Sequence, residues 1–93
     1  MPKFTLRPLR QPDRAWVRHV MLSEWGAETV VIHQTVYHPA ELPGFIAQLG
    51  RQKLGLLTYH IAGQACEIVT LNSWREGLGI GTALLEAAKQ AGR

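Results

Sequence analysis

The sequence predicts an α/β fold of the α+β kind, a mixed and mainly antiparallel sheet flanked by helices. Three observations predict it. The amino-terminal segment alternates apolar and polar residues, three later apolar runs are separated by short turn segments, and two stretches carry apolar residues at helical spacing. A chain of 93 residues makes one domain, and a domain of that size buries somewhat more than about 60% of its unfolded surface. With 46% hydrophobic and 18% charged residues, it can build a core and lacks the composition of a disordered chain.

Phe4 and Leu6 alternate with Lys3, Thr5 and Arg7, a short strand ended by Pro8. Gln11-Pro12-Asp13 reads as a helix entry, because proline is tolerated in the first turn and an acidic residue suits the positive end of the dipole. Trp16, Val17, Val20 and Met21 then follow at spacings of three and four and make one apolar face that runs out at Gly26. From Glu28 to Tyr37, β-branched residues predict one extended segment, which the two prolines of HPAELPG break. An antiparallel meander is expected over Phe45 to Leu49, Lys53 to Ile61 and Ala65 to Leu71, with turns at Gly50-Arg51-Gln52 and Ala62-Gly63-Gln64. The last helix begins inside a glycine loop and carries Ile80, Ala83, Leu84, Ala87, Ala88 and Ala91 on one stripe, with Lys89 and Arg93 near its negative end.

Ten basic against seven acidic residues give a net charge of +3, too small and too dispersed for a nucleic-acid footprint but suited to an anionic small ligand. The single cysteine, Cys66, excludes an internal disulfide and a multi-cysteine zinc site, so no oxidising compartment is required. The amino terminus has no apolar run fit for a signal peptide, and nowhere do apolar residues approach the roughly 18 that a membrane helix needs. A cytoplasmic protein without membrane contact is therefore expected. His19, His33, His38 and His60 show no two-histidine helical pair, so no metal is expected.

Gly77, Gly79 and Gly81 alternate with Leu78 and Ile80 and run directly into the last helix. A helix start leaves backbone N–H groups unsatisfied beside a partial positive charge, and a phosphate or pyrophosphate is stabilised there. A tight strand-to-helix connection would equally use three glycines. Spacing narrows the choice. Counting from Gly77 puts Thr82 at the third glycine position of a dinucleotide fingerprint, and counting from Gly79 puts Leu84 there, while no lysine serves a nucleotide-hydrolysing loop.

The stretch Glu76-Gly77-Leu78-Gly79-Ile80-Gly81 resembles the acyl-CoA loop of the GCN5-related N-acetyltransferases, written Gln/Arg-x-x-Gly-x-Gly/Ala at a helix start after an antiparallel strand. Glu76 stands where that family prefers glutamine or arginine, with Arg75 one place earlier. CEIVTLNS looks like the family's central strand, and the order from Phe4 to Arg93 is similar to the amino-terminal portion of the acyl-CoA N-acyltransferase fold. The resemblance implies transfer of an acetyl group from acetyl-CoA to a primary amine by direct attack in a ternary complex. It implies a pantetheine arm along the strand ending near Leu71 and Asn72, and a pyrophosphate on the loop made by Glu76, Gly77, Leu78, Gly79, Ile80, Gly81 and Thr82.

By the same resemblance Glu67 is the general base, the other reading being a solvated strand glutamate beside an Arg or Lys. Tyr59 and His60 are secondary candidates for proton transfer or amine positioning, outweighed in each case by an ordinary role, half-buried packing for Tyr59 and a polar strand position for His60. Cys66 alternates away from Glu67 toward the core. Trp16, Trp25 and Tyr37 fall where the family builds its acceptor pocket, although Trp16 at its helical spacing reads first as core, and Trp74 either covers the cofactor or packs on the helix.

The family's complete domain continues for about half as many residues again, so a domain truncated at the carboxy terminus is expected. Strand Ala65 to Leu71 would then present an unpaired edge, and the last helix an uncovered apolar stripe. A homodimer or an exchange of elements through that edge is the expected consequence. The alternative function is a non-catalytic acyl-CoA-binding or protein-interaction module on the same scaffold, completed by a partner or a second copy.

Overall fold

The structure, a computed structural model, describes residues 3–92. Four strands form the main sheet in the order β1-β4-β5-β6: β1 is Thr5–Pro8, β4 Gly44–Leu49, β5 Gln52–Ala62 and β6 Ala65–Ser73. Every pairing is antiparallel, so the parallel contribution of a mixed sheet is absent among the described residues. β1 ends at Pro8, as expected, with Pro8 its last residue opposite Phe45. An edge strand tolerates it because a missing N–H costs nothing on the open side.

The first helical segment is a composite. Gln11–Asp13 is a 3-10 turn, α1 runs from Arg14 to Val20, and Met21–Trp25 continues as a π-helical turn that Gly26 ends in the left-handed conformation, φ 77°. Asp13 fixes its start. The Arg7 guanidinium donates two hydrogen bonds to the Asp13 carboxylate, at 2.8 and 2.9 Å, and the Arg10 amide donates a third at 2.8 Å. That hydrogen bonding holds the Asp13 carboxyl below its ordinary range against the opposing effect of burial.

The single extended segment expected over Glu28 to Tyr37 is instead a hairpin, β2 (Val30–Ile32) paired with β3 (Thr35–Tyr37). Its two-residue turn is His33-Gln34, both left-handed at φ 49° and 67°. Such a turn matches strand twist but ordinarily uses Asn-Gly or Asp-Gly, so composition gives no sign of it. A 3-10 turn at Pro39–Glu41 follows, where two prolines were expected to break the chain.

The sheet separates two apolar clusters. On one face Val17, Val20, Met21, Ala40, Ile46 and Leu56 are buried. On the other lie Ala47, Leu54, Leu57 and three residues of α2 (Ile80–Ala91), namely Ile80, Leu84 and Ala88. Neighbouring residues Ile46 and Ala47, like Leu56 and Leu57, fall in opposite clusters as the period of two requires. Leu54 departs from it because β5 bulges there: Gln48 pairs with Lys53 and Ala47 with Gly55, leaving Leu54 as the extra residue.

The buried row of α2 is a narrower part of the stripe expected. Ile80, Leu84 and Ala88 are buried and Leu85 packs beside them, whereas Ala83 and Ala87 are half-buried and Ala91 is exposed. The row at i, i+4, i+8 meets the sheet, and among the described residues none of the helix's large apolar side chains is exposed. Arg93, expected near the helix end, lies outside the described residues.

Candidate functional site

Strand β6 is the edge of the sheet, and the glycine loop leaves its end to start α2. Gly77 and Gly79 are left-handed, at φ 81° and 75°. A side chain at either would be strained whatever room it had. Gly81 has neither a positive φ nor any atom within 4 Å of where a Cβ would stand, so nothing in the chain's own packing requires glycine there. Gly79 caps the helix without a side chain, and the first helical bond runs from the Ala83 amide to the Gly79 carbonyl at 3.0 Å. The amides of Ile80, Gly81 and Thr82 therefore stand in the unsatisfied first turn.

The structure divides the loop residues by role. Leu78 and Ile80 bury their side chains against the α2 face of the sheet, leaving only backbone for a ligand. Glu76, Gly77, Gly79 and Thr82 are exposed. Leu71 and Asn72 point to opposite faces: Leu71 pairs with Leu57 of the α2 face and is 37% exposed, while Asn72 pairs with Leu56 of the α1 face. The Asn72 Oδ1 accepts a 3.0 Å hydrogen bond from the Trp25 indole.

Glu67 lies near the other end of β6, about 20 Å from the strand end that leads into the loop, at the usual strand rise. It is half-buried and stands opposite His60 on β5. The Tyr37 hydroxyl, from β3, donates a 2.8 Å hydrogen bond to its carboxylate, and the Tyr37 ring lies 5.3 Å from that of His60. That hydrogen bond is the main cause that raises the Tyr37 hydroxyl above its ordinary range, with lesser contributions from desolvation and the Glu67 charge. No Arg or Lys pairs with Glu67 among the described residues.

A bulge separates Glu67 from the rest of β6. Tyr59 pairs with Ile68 and Thr58 with Thr70, so Val69 is the extra residue, and bulges of this kind free backbone groups from the ladder. Beside it, the buried hydroxyls of Thr58 and Thr70 satisfy each other at 2.6 Å.

Tyr59 takes no part in this group. It stacks on Phe45 at 6.0 Å on the opposite face, and burial is the chief cause that raises its hydroxyl. Cys66 packs against α2, its Sγ 3.6 Å from the Ala88 carbonyl. Trp16 packs on the α1 cluster. Trp74 turns to the same side, edge-on to Trp16 at 6.0 Å, and its indole donates to Glu24 at 2.5 Å. The partnership of Tyr37 with Glu67 and those of both indoles link residues 30 or more positions apart, and no sequence spacing marks them.

Clefts of about 170 and 310 Å³ flank α1 and the Pro39–Glu41 turn, and no residue of β6 or the glycine loop lines either. Among the described residues no three His, Cys, Asp or Glu side chains converge as metal ligands would, and no helix is long and apolar enough to cross a membrane.

No protein-family profile matches the chain. No solved structure matches it. Two proteins of Bacillus subtilis strain 168 are similar to it. The uncharacterized protein YxbD is 39% identical over 87 residues, which cover 92% of this chain and 55% of YxbD. The uncharacterized protein YdhI is 33% identical over 84 residues, covering 85% of this chain and 52% of YdhI. The chain thus spans about half the length of the curated relatives it matches.

Proposed function

We propose that this chain carries the acyl-CoA-binding portion of an N-acetyltransferase on the GCN5-related scaffold and transfers acetyl from acetyl-CoA to a primary amine. The observation that carries the reading is Gly81. Its backbone is helical and its missing side chain faces open space, so its smallness serves close approach of something outside the chain. Beside the first-turn amides of Ile80, Gly81 and Thr82, an anionic pyrophosphate is the ligand with the most to gain. The pantetheine arm would lie along the free edge of β6 and bond to its backbone, which an open-edged strand supports.

The chemistry follows from the other end of β6. The acceptor ammonium gives a proton to the Glu67 carboxylate, directly or through water. Its nitrogen then attacks the thioester carbonyl, forming the C–N bond, and collapse of the tetrahedral intermediate breaks the C–S bond while the nitrogen's surplus proton passes, directly or through water, to the departing thiolate, leaving the amide and the thiol of CoA. Tyr37 orients the carboxylate, and the Val69 amide, at the bulge, is the donor we assign to the oxyanion. Most of the acceleration comes from holding amine and thioester together.

Where no pantetheine arm occupies it, the same free edge of β6 is open to a strand of another chain, and a homodimer or an exchange of elements is the competing occupant of that edge. Titration calorimetry with acetyl-CoA and assay of CoA release with a panel of amines test the main reading. Binding with amine-dependent release supports it. Binding without release of CoA from any amine favours the non-catalytic acyl-CoA-binding module, and a folded sample that binds no acetyl-CoA overturns both.

A further inference from the structure

We infer that Glu24, Trp25, Asn72 and Trp74 form a crossed latch that fixes the entry of the glycine loop against the π-helical turn, which makes them positioning residues for the pyrophosphate cradle; this rests on the reading of that loop given above. The two hydrogen bonds run in opposite senses between the same two elements. Trp25 of the π turn donates to Asn72 of β6 at 3.0 Å, and Trp74, just beyond β6, donates to Glu24 of the π turn at 2.5 Å. Each element thus supplies one indole donor and one side-chain oxygen.

Local geometry makes the crossing possible. Asn72 and Trp74 are two residues apart, the spacing that puts side chains on one face of an extended chain. Glu24 and Trp25 are the last residues of a five-residue π turn. Such turns are rare and frequently occur at functional sites, and Gly26 stops this one with a left-handed backbone.

Apolar burial does not explain these side chains. Trp25 is 43% exposed and Trp74 36%, so the hydrogen bonds, with the edge contact of Trp74 on Trp16, set their orientation. The Trp74 amide also donates to the Leu54 carbonyl at 2.9 Å, tying the strand end to β5. Three residues later comes Gly77. The loop is therefore held at both ends: by Trp74 toward the α1 face, and by Leu78 and Ile80 packed into the α2 face. With two left-handed glycines between, the path of the cradle depends on both anchors.

The test compares the wild-type protein with Glu24→Ala, which removes the acceptor, and Glu24→Gln, which keeps an acceptor oxygen. Trp25→Phe, Asn72→Leu and their double variant make a cycle on the second bond. Acetyl-CoA affinity is read by titration calorimetry, and exchange of the Trp74–Thr82 amides by hydrogen–deuterium mass spectrometry. Glu24→Ala is expected to weaken acetyl-CoA binding about tenfold and to speed exchange in the loop, with Glu24→Gln near wild type in both. The double variant should be no worse than Asn72→Leu alone. Unchanged affinity and exchange in Glu24→Ala, with wild-type binding intact, would overturn the latch and leave the loop's ligand standing. A wild-type protein that binds no acetyl-CoA removes the ligand reading instead, and exchange then decides the latch: faster in Glu24→Ala supports it, unchanged overturns it.

Discussion

The Tyr37 hydroxyl donates to the Glu67 carboxylate across 30 positions of sequence, at 2.8 Å. The bond ties the small β2–β3 hairpin to β6 and leaves the carboxylate with one lone-pair direction committed and others free for a substrate proton. On the proposed chemistry, Glu67→Gln lowers the turnover of CoA release by roughly 10²–10⁴-fold, the usual contribution of a positioned base. Acetyl-CoA affinity stays within a factor of two, because the loop lies at the far end of β6. Tyr37→Phe keeps the ring and loses only the donor, and is expected to lower turnover by about tenfold or less. Equal turnover in wild type and Glu67→Gln at saturating amine would remove the residue from the chemistry.

Asp13 gives a prediction independent of any ligand. Its carboxyl is held below its ordinary value of 3.8, first by the Arg7 hydrogen bond. The unfolded chain therefore takes up this proton more readily than the folded one. The resulting stability is fully present above the ordinary carboxylate range and is lost as pH falls through it toward the folded value. Asp13→Asn should cost roughly 1.5–3 kcal/mol at neutral pH, as loss of a charge-assisted, partly buried pair does. The difference from wild type in urea unfolding should shrink between pH 5 and about pH 2. A difference that grows on acidification would contradict the pairing.

The meander of β4 to β6 and the last helix were legible because their signals are local: apolar runs bounded by Gly50 and Gly63, and a helix with its own stripe. What escaped was set by tertiary geometry. His33-Gln34 turns with two left-handed residues of types that do not announce a turn, so one extended segment was expected where two strands form. The stripe expected for α2 contains the buried row Ile80, Leu84 and Ala88, but its further alanines, Ala83, Ala87 and Ala91, are only partly covered or exposed, since which alanines meet the sheet is decided by tertiary packing. At the site, the glycines were visible as a motif, but Gly77 and Gly79 are needed for conformation while Gly81 is not, and only coordinates separate them.

Gly55 sets how closely α2 approaches the sheet. A Cβ there would meet the Ile80 Cγ2 at 2.6 Å, the Asn72 carbonyl oxygen at 3.0 Å and the Leu84 Cδ1 at 3.1 Å. Strand propensity alone would favour alanine over glycine, so the predicted effect has the opposite sign. Gly55→Ala should destabilise by roughly 1–3 kcal/mol through overpacking and, by displacing the start of α2, weaken acetyl-CoA binding as well. Denaturant unfolding and calorimetry on one sample would check both, and a stabilised Gly55→Ala would show that the helix seats further from β5.

Gly79 and Gly81 separate conformation from ligand approach. Gly79→Ala places a side chain in a left-handed residue and should cost about 1–2 kcal/mol although the space around it is open. Gly81→Ala meets no neighbour and lies in the first turn of α2, where replacing glycine should stabilise by up to about 1 kcal/mol. The motif that the loop resembles accepts alanine at this place, so a larger side chain is needed to obstruct the amides assigned to the pyrophosphate: Gly81→Leu should keep the gain in helix propensity while affinity for acetyl-CoA falls at least tenfold. A helix start kept open for a ligand predicts that pairing of opposite changes, whereas a merely tight connection predicts greater stability with no loss of binding. Thermal melts and calorimetric titrations of Gly81→Leu, with and without acetyl-CoA, distinguish the two.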